Sequence, residues 1–320
     1  MTYLLLDTDI GTDVDDALAL AYLIGSPELD LIGVTTVHGN APLRAQIARA
    51  LLDAGGREDV PVVAGRSRPL RGSSVAGFHW NELWGHEGLG LIAPEDLLGE
   101  DLSPERDDAA RFIIDQARLH PGELRVIAVG PVTNLARALQ LEPALADLLE
   151  SVVIMGGIVE REKVAWAAHF ETNLNADPGA AEIVLESAIR TTLVPLEVTL
   201  QVFLEPAHLD RLRSSGKQVA ASLLRLIAEM REPFLAFNER NGLDGSDFDE
   251  RTYMHDPLAV YVATQTSHVS VRETLIAVGW EGDAIRTLEV ESGGRAMGVC
   301  SDVETGVFVE HWMRAVLSAR

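Results

Sequence analysis

The sequence predicts an α/β fold, an open, mostly parallel, Rossmann-like sheet with flanking helices. Three observations predict it. The stretch Tyr3–Leu20, YLLLDTDIGTDVDDALAL, opens on an apolar run, Tyr3 to Leu6, short enough for a strand buried on both faces. It continues through an acidic turn into Ala17–Leu23, which reads as the body of a helix. Further along, short β-branched runs alternate with amphipathic segments, and strands alternating with helices imply parallel pairing with right-handed crossovers. The apolar runs also end repeatedly in polar groups, and in open α/β sheets ligands bind at the carboxyl ends of the strands.

The elements follow in order. Asp30–Val37 reads as a second buried strand ending at His38-Gly39-Asn40. Pro42–Ala54 is an amphipathic helix and Val60–Ala64 a short third strand. The pattern breaks between Gly65 and about Leu98, a segment rich in glycine that carries His79, Trp80, Trp84 and His86. A loop this long in a compact domain is usually functional, often a lid. Its tryptophans suit either packing on the core or stacking on a planar ligand.

Ser103-Pro104-Glu105 is a helix start, with the helix running to about Leu119. Leu124–Val129 is the fourth strand, and Gly130–Asn134 turns it into another helix. Ser151–Gly157 is the fifth strand, ending in a glycine pair that lets backbone approach a ligand. His169–Pro178 is a polar loop with Asp177 as the N-cap of the next helix, and Thr191–Leu196 is a sixth strand. Residues 205 to 242 read as helical, 242 to 250 as an acidic loop, and Tyr253–Pro257 as the opening of a further helix. Antiparallel strands from about Val269 to Val309 and a closing helix from Val307 to Ala319 complete the chain.

Length alone does not decide between one large domain and two, but no linker, repeat or low-complexity segment divides residues 1–320, and a single domain is expected. The 47% apolar and 23% charged composition is ordinary for a globular protein with a sizeable core. A net charge of −23 repels phosphate and argues against nucleic-acid or anionic-membrane partners. The lone Cys300 excludes an internal disulfide framework. No basic leader precedes the first strand, and no apolar run approaches the roughly 18–20 residues of a membrane helix. A soluble, cytoplasmic protein is expected.

Asp7, Asp9, Asp13, Asp15 and Asp16 crowd ten positions and repel one another unless something positive lies among them. N-capping and the helix dipole account for about two of the five. Asp7 and Asp9 lie upstream of the helix and are not explained that way. Oxygen-only carboxylate ligands suit a hard cation, Ca²⁺ or Mg²⁺.

With this cluster come Val37-His38-Gly39-Asn40, Val60–Gly65, Gly130-Pro131-Val132-Thr133-Asn134, Met155-Gly156-Gly157, Glu171-Thr172-Asn173 with Asp177-Pro178, and His255-Asp256-Pro257-Leu258. Taken together in this order, over nearly the whole chain, they resemble the inosine–uridine-preferring nucleoside hydrolases. The resemblance implies the nucleoside hydrolase fold, with Ca²⁺ at the base of a pocket formed at the strand ends. It implies Asp9 as calcium ligand and general base, Asp16 and Asp256 as further ligands, and Val129 as a ligand through its carbonyl. It implies Asp15, Asn40, Glu171 and Asn173 on the ribose hydroxyls, Met155 beside the sugar, and His255 as proton donor to the leaving base. The implied reaction is Ca²⁺-dependent hydrolysis of ribonucleosides to nucleobase and ribose, in a homodimer or homotetramer.

The chain departs from the family pattern in three places. Two extra residues, about Thr12-Asp13, separate Gly11 from the Asp15-Asp16 pair. Trp84-Gly85-His86 stands where many members begin with histidine, so Trp84 is a candidate to stack on the base and His86 to take over the missing role. The asparagine usual before Glu171 is absent from Val164-Ala165-Trp166-Ala167.

Two rivals come from other classes. Asp7-Thr8-Asp9 imitates the nucleophile motif of haloacid-dehalogenase-type phosphatases, but Gly11 stands where that motif needs Thr or Val. A non-catalytic calcium- or ribose-binding protein would keep the same ligands without turnover.

Overall fold

A computed structural model of the chain describes residues 2–70, 84–99, 106–164, 171–241, 251–265 and 267–319. Its strands are β1 (Tyr3–Thr8), β2 (Asp30–Thr36), β3 (Val62–Ala64), β4 (Leu124–Ala128), β5 (Leu149–Met155), β6 (Thr191–Val194), β7 (Phe203–Leu204), β8 (Thr252–Tyr253), β9 (Val269–Glu281), β10 (Ala284–Glu289) and β11 (Arg295–Val303). All but β7 and β8 form one sheet in the order β10-β9-β11-β6-β5-β4-β1-β2-β3. Pairing is parallel from β3 through β11 and antiparallel where β9 joins β11 and β10. The six N-terminal sheet strands, read from their outer edge, run 3-2-1-4-5-6, an order that reverses between β1 and β4. Such a reversal opens a crevice beyond the strand ends, because the connections on its two sides leave toward opposite faces.

The first strand is the centre of this arrangement, and its sequence shows why. Leu4, Leu5 and Leu6 are all buried, but the period of two sends Leu4 and Leu6 into one core and Leu5 into the other. The Leu4/Leu6 side is covered by helices Asp15–Ile24, Ala41–Ala54, His255–Thr264 and Thr305–Ser318. The Leu5 side is covered by Asp108–Leu119, Thr133–Leu141 and Pro178–Glu186. A polar residue tolerated on both faces would leave one core short of a packing partner, so the run Leu4-Leu5-Leu6 places β1 inside the sheet.

Three expectations are refined. The segment expected to be helical from 205 to 242 is two helices, Pro206–Ser215 and Gln218–Asn241. Gly216, in the left-handed region at φ 68°, breaks them apart. The C-terminal antiparallel strands continue the main sheet, because β11 pairs with β6 in parallel at Gly298–Thr192 and Val299–Leu193. Glycine is needed there: a Cβ on Gly298 would lie 2.8 Å from Thr192 Oγ1. The helix expected from Ser103 is described from Asp108 to Leu119, and Ser103 itself, like His79, Trp80, Trp166 and the acidic loop 242–250, lies outside the described residues. Among the described residues no helix is long and apolar enough to cross a membrane.

Candidate active site

The acidic turn leaves β1 at the point where the strand order reverses, opposite the exit of β4. Asp7, still within β1, is fully buried, and its Oδ1 accepts from Thr35 Oγ1 at 2.6 Å and from Asn134 Nδ2 at 2.8 Å. Its Oδ2 has no partner, and burial pushes the carboxyl up to about 7. Asp7 therefore ties β1 to β2 and to the first turn of helix Thr133–Leu141, and does not face the crevice as a ligand does. Asn134 completes that joint: its amide also donates to Thr36 O at 3.0 Å and its Oδ1 accepts from Arg66 N at 3.0 Å.

Beyond β1, Thr8 Oγ1 donates to Asp16 Oδ1, and Asp9 N–H donates to the same oxygen at 3.1 Å. Asp15 Oδ1 accepts from Asp16 N–H at 3.1 Å. Asp15 and Asp16 form the first turn of helix Asp15–Ile24, and Asp256 that of helix His255–Thr264. Helix N-termini favour negative charge, which is why acids are tolerated at both ends. The two helices pack side by side and bring oxygens of Asp15, Asp16 and Asp256 within 4.8 Å of one another, in residues only 7%, 5% and 2% exposed. Burial and then repulsion from neighbouring aspartates, Asp9 and Asp13 among them, hold all three carboxyls well above their usual range. A buried all-oxygen set of this kind fits a hard divalent cation, whose charge would reverse that penalty.

Asp9 is outside this trio, although its carboxyl feels the charges of its neighbours. Burial raises it to about 6, opposed chiefly by the positive charge of Arg44. Gly130, just past β4, packs against it so closely that a Cβ there would lie 2.5 Å from Asp9 Oδ1. Asp13 sits on the same turn, its carboxyl raised by burial, with Oδ1 accepting from Val14 N–H at 2.6 Å.

The remaining sequence candidates ring this centre. Val129 O accepts from Asn173 Nδ2 at 2.8 Å, and the same amide reaches Met155 O at 3.1 Å, so the exits of β4 and β5 are held together by one side chain. Glu171 is buried, its Oε1 accepting from Leu174 N–H at 3.1 Å and its Oε2 from Asn175 Nδ2 at 2.9 Å. Asn40, expected on the sugar, has protein partners of its own. It caps helix Ala41–Ala54 through Leu43 N–H, and its amide donates to Leu98 O at 3.2 Å and Gly99 O at 2.9 Å.

His255 Nδ1 lies 2.8 Å from Thr199 Oγ1, and its ring stacks on Tyr253 with centroids 5.4 Å apart. Burial lowers it to about 4, so the ring is neutral at pH 7. Trp84 stacks on Phe237 of helix Gln218–Asn241 at 5.1 Å, while His86 Nε2 is 3.0 Å from Thr12 O. His86 Nδ1 is buried without a partner. Thus His86 joins the aspartate turn and Trp84 the long helix.

Sequence reasoning missed Thr8, Arg44, Asn175 and Thr199 as residues that position this site. Thr8 and Asn175 stand between named candidates and were accessible to closer reading. Arg44 and Thr199 carry no local signal, since their partners are distant in sequence.

A model of the inosine-uridine preferring nucleoside hydrolase family matches residues 4–310. The chain belongs to that family. The inosine-uridine preferring nucleoside hydrolase of Leishmania major is 33% identical over 268 residues, covering 82% of this chain and 79% of that protein. Uridine nucleosidase 1 of Arabidopsis thaliana is 30% identical over 296 residues, covering 91% and 82%. The structure of a purine-preferring ribonucleoside hydrolase from Gardnerella vaginalis superposes with a TM-score of 0.79 at 26% identity, covering 99% of this chain and 98% of the other. This nucleoside hydrolase is accordingly an enzyme that hydrolyses nucleosides, and family membership displaces the phosphatase reading of Asp7-Thr8-Asp9. The three relatives differ by name in the base they prefer, so the base is a property of the individual enzyme and not of the shared frame.

Proposed function

We propose that this nucleoside hydrolase cleaves the N-glycosidic bond of ribonucleosides with Ca²⁺ as its metal, releasing nucleobase and ribose. The observation that carries the reading is the convergence of buried Asp15, Asp16 and Asp256 oxygens beside Asp9 at the point where the strand order reverses. Asp9, Asp16, Asp256 and the carbonyl of Val129 would hold the cation, and Asp15 would hold a hydroxyl of the ribose. When bound, the cation acidifies and orients the attacking water.

Asp9 would take the proton of the attacking water as the water oxygen adds to C1′. The C1′–N bond breaks through an oxocarbenium-like sugar, as in other glycosidases. Asp15, Asn40, Glu171 and Asn173 accept from and donate to the ribose hydroxyls, and Met155 lines the sugar. Their anionic and amide oxygens favour the cationic sugar of the transition state over the neutral substrate. The bonding electrons leave with the base, which needs a proton in return. His255 would supply it through Nε2 after first taking a proton from solvent, the ring resting neutral and its Nδ1 lying against Thr199 Oγ1. Trp84 and His86 flank the base. In the asparagine-for-carbonyl contact of Asn40, a sugar hydroxyl replaces Leu98 O or Gly99 O. We further place the enzyme in the cytoplasm as a homodimer or homotetramer acting on free nucleosides.

A panel of purine and pyrimidine ribonucleosides tests the reading, with free base and ribose followed with Ca²⁺, with Mg²⁺ and with chelator. Base release that chelator abolishes and Ca²⁺ restores is the expected result. No release from any nucleoside at any metal setting overturns catalysis, and ribose affinity without release would identify a binding protein.

A further inference from the structure

We propose that Arg44 is a positioning residue of this site, whose buried guanidinium holds the turn from Asp9 to Thr12 in the shape that aims the Asp9 carboxylate. The proposal rests on the functional reading above. Arg44 lies on helix Ala41–Ala54 and is 1% exposed. A buried arginine is ordinarily paired with a carboxylate. This one donates to three backbone carbonyls and a hydroxyl, while its charge acts on Asp9 and Asp16. Its Nε donates to His38 O at 2.7 Å, beyond β2. Its Nη1 donates to Asp9 O and, at 3.1 Å, to Ile10 O, and its Nη2 donates to Thr12 Oγ1 at 3.1 Å.

The guanidinium is planar and rigid, so partners on three of its nitrogens have fixed orientations relative to one another. The consequence falls on Asp9. Its N–H is held by Asp16 Oδ1, its carbonyl by Arg44, and its carboxylate lies against Gly130. With both flanking peptide groups held, the side chain has one direction to leave the backbone. Gly11 packs on the same helix, one turn beyond Arg44, where a Cβ would lie 2.8 Å from Ile47 Cδ1.

The first of the two residues by which this turn exceeds the family spacing lies within the same grip. Thr12 is held by Arg44 through its hydroxyl and by His86 Nε2 through its carbonyl. A longer turn has more conformations to lose, and Arg44 supplies the cross-ties that select one. Lysine cannot replace it: an ammonium carries the charge but cannot reach four acceptors in fixed directions.

The test compares the parent with Arg44→Lys, Arg44→Met and Thr12→Val. Ca²⁺ affinity of the cation-free proteins is measured by calorimetry, together with kcat and KM on a nucleoside the parent cleaves and with the thermal midpoint. In Arg44→Lys at saturating Ca²⁺, kcat should fall by at least about thirtyfold while KM stays within about threefold, since the loss is one of base positioning. Its Ca²⁺ Kd should rise about tenfold. A folded Arg44→Lys with kcat and Kd both within about threefold of the parent overturns the proposal, as does a lowered midpoint with unchanged kcat. If neither Arg44 variant folds, Thr12→Val decides: a kcat reduced about threefold or more supports the role, and an unchanged kcat overturns it. A parent that neither binds Ca²⁺ nor releases base overturns the functional reading and this role together. An active parent with unaffected variants overturns the role alone.

Discussion

The side-chain amide of Asn173 donates to the carbonyl of Val129 at 2.8 Å and so fixes the lip of β4 from the start of the short helix Asn173–Ala176. A carbonyl oxygen has two lone pairs, and this contact occupies one, leaving the other for a cation. The same nitrogen serves Met155 O. Asn173→Ala would leave two carbonyls in a buried setting without that donor, a loss of about 1–3 kcal/mol. We expect the variant to unfold at a lower temperature and to lose about a hundredfold in kcat/KM, checked by calorimetry and steady-state kinetics.

Gly130 and Asp9 make a second pair whose contact is testable. A methyl group at Gly130 would stand 2.5 Å from Asp9 Oδ1 and 2.9 Å from Asp9 N, so carboxylate or backbone must shift. Gly130→Ala should lose about a hundredfold or more in kcat, and Asp9→Ala about 10³-fold or more, because it removes base and ligand together. Asp9→Ala retaining parental turnover would refute the role assigned to Asp9.

The three converging acids predict stability effects of opposite sign with and without cation. Ca²⁺ at a hundred times its Kd should add about 2.7 kcal/mol, since it binds only the folded state. Asp256→Asn removes one of the repelling charges. The cation-free variant should therefore melt at or above the parent, while the Ca²⁺-induced rise should be largely abolished. Thermal scans with Ca²⁺ and with chelator measure both.

His38 predicts a pH effect. Burial, aided by the charge of Arg44, lowers it to about 3, so the folded protein holds it neutral where the unfolded chain protonates it below its usual 6.5. The unfolded state thus binds more protons between about pH 6.5 and 3, and this residue's contribution to stability falls as pH falls through that window. His38 also has a left-handed backbone, φ 70°, which asparagine tolerates. Between pH 7 and 5 the parent should lose up to about 2 kcal/mol more than His38→Asn, measured by denaturant unfolding at each pH.

Much of the frame was legible in the residues. Leu4-Leu5-Leu6 marks a strand buried on both faces because no position in it is polar, and β1 is buried on both sides. Asp177 before Pro178 marks a helix start, and its Oδ1 accepts from Ala180 N–H at 3.1 Å. The pause at Gly216 was less legible, because a left-handed glycine between two amphipathic segments barely disturbs their shared period. The site was legible as a list of polar groups at strand exits but not as contacts. Asn40 shows why: capping, loop anchoring and sugar binding all call for the same amide, and only the placement of Leu98 and Gly99 shows which partners it holds here.

The sequence by itself determined the order of strands and helices, the acids at the exit of β1 and membership of the nucleoside hydrolases, because each is written in local periodicity or in motifs of fixed spacing. Only the tertiary structure decided which acids meet. Asp256 joins Asp15 and Asp16 because helix His255–Thr264 packs beside helix Asp15–Ile24, a contact across most of the chain. Only the tertiary structure, too, turned Arg44 inward. On an amphipathic helix an arginine is read as solvent-facing, and what draws this one into the core is a set of carbonyls that exist as a cluster only after β1 and β2 lie side by side.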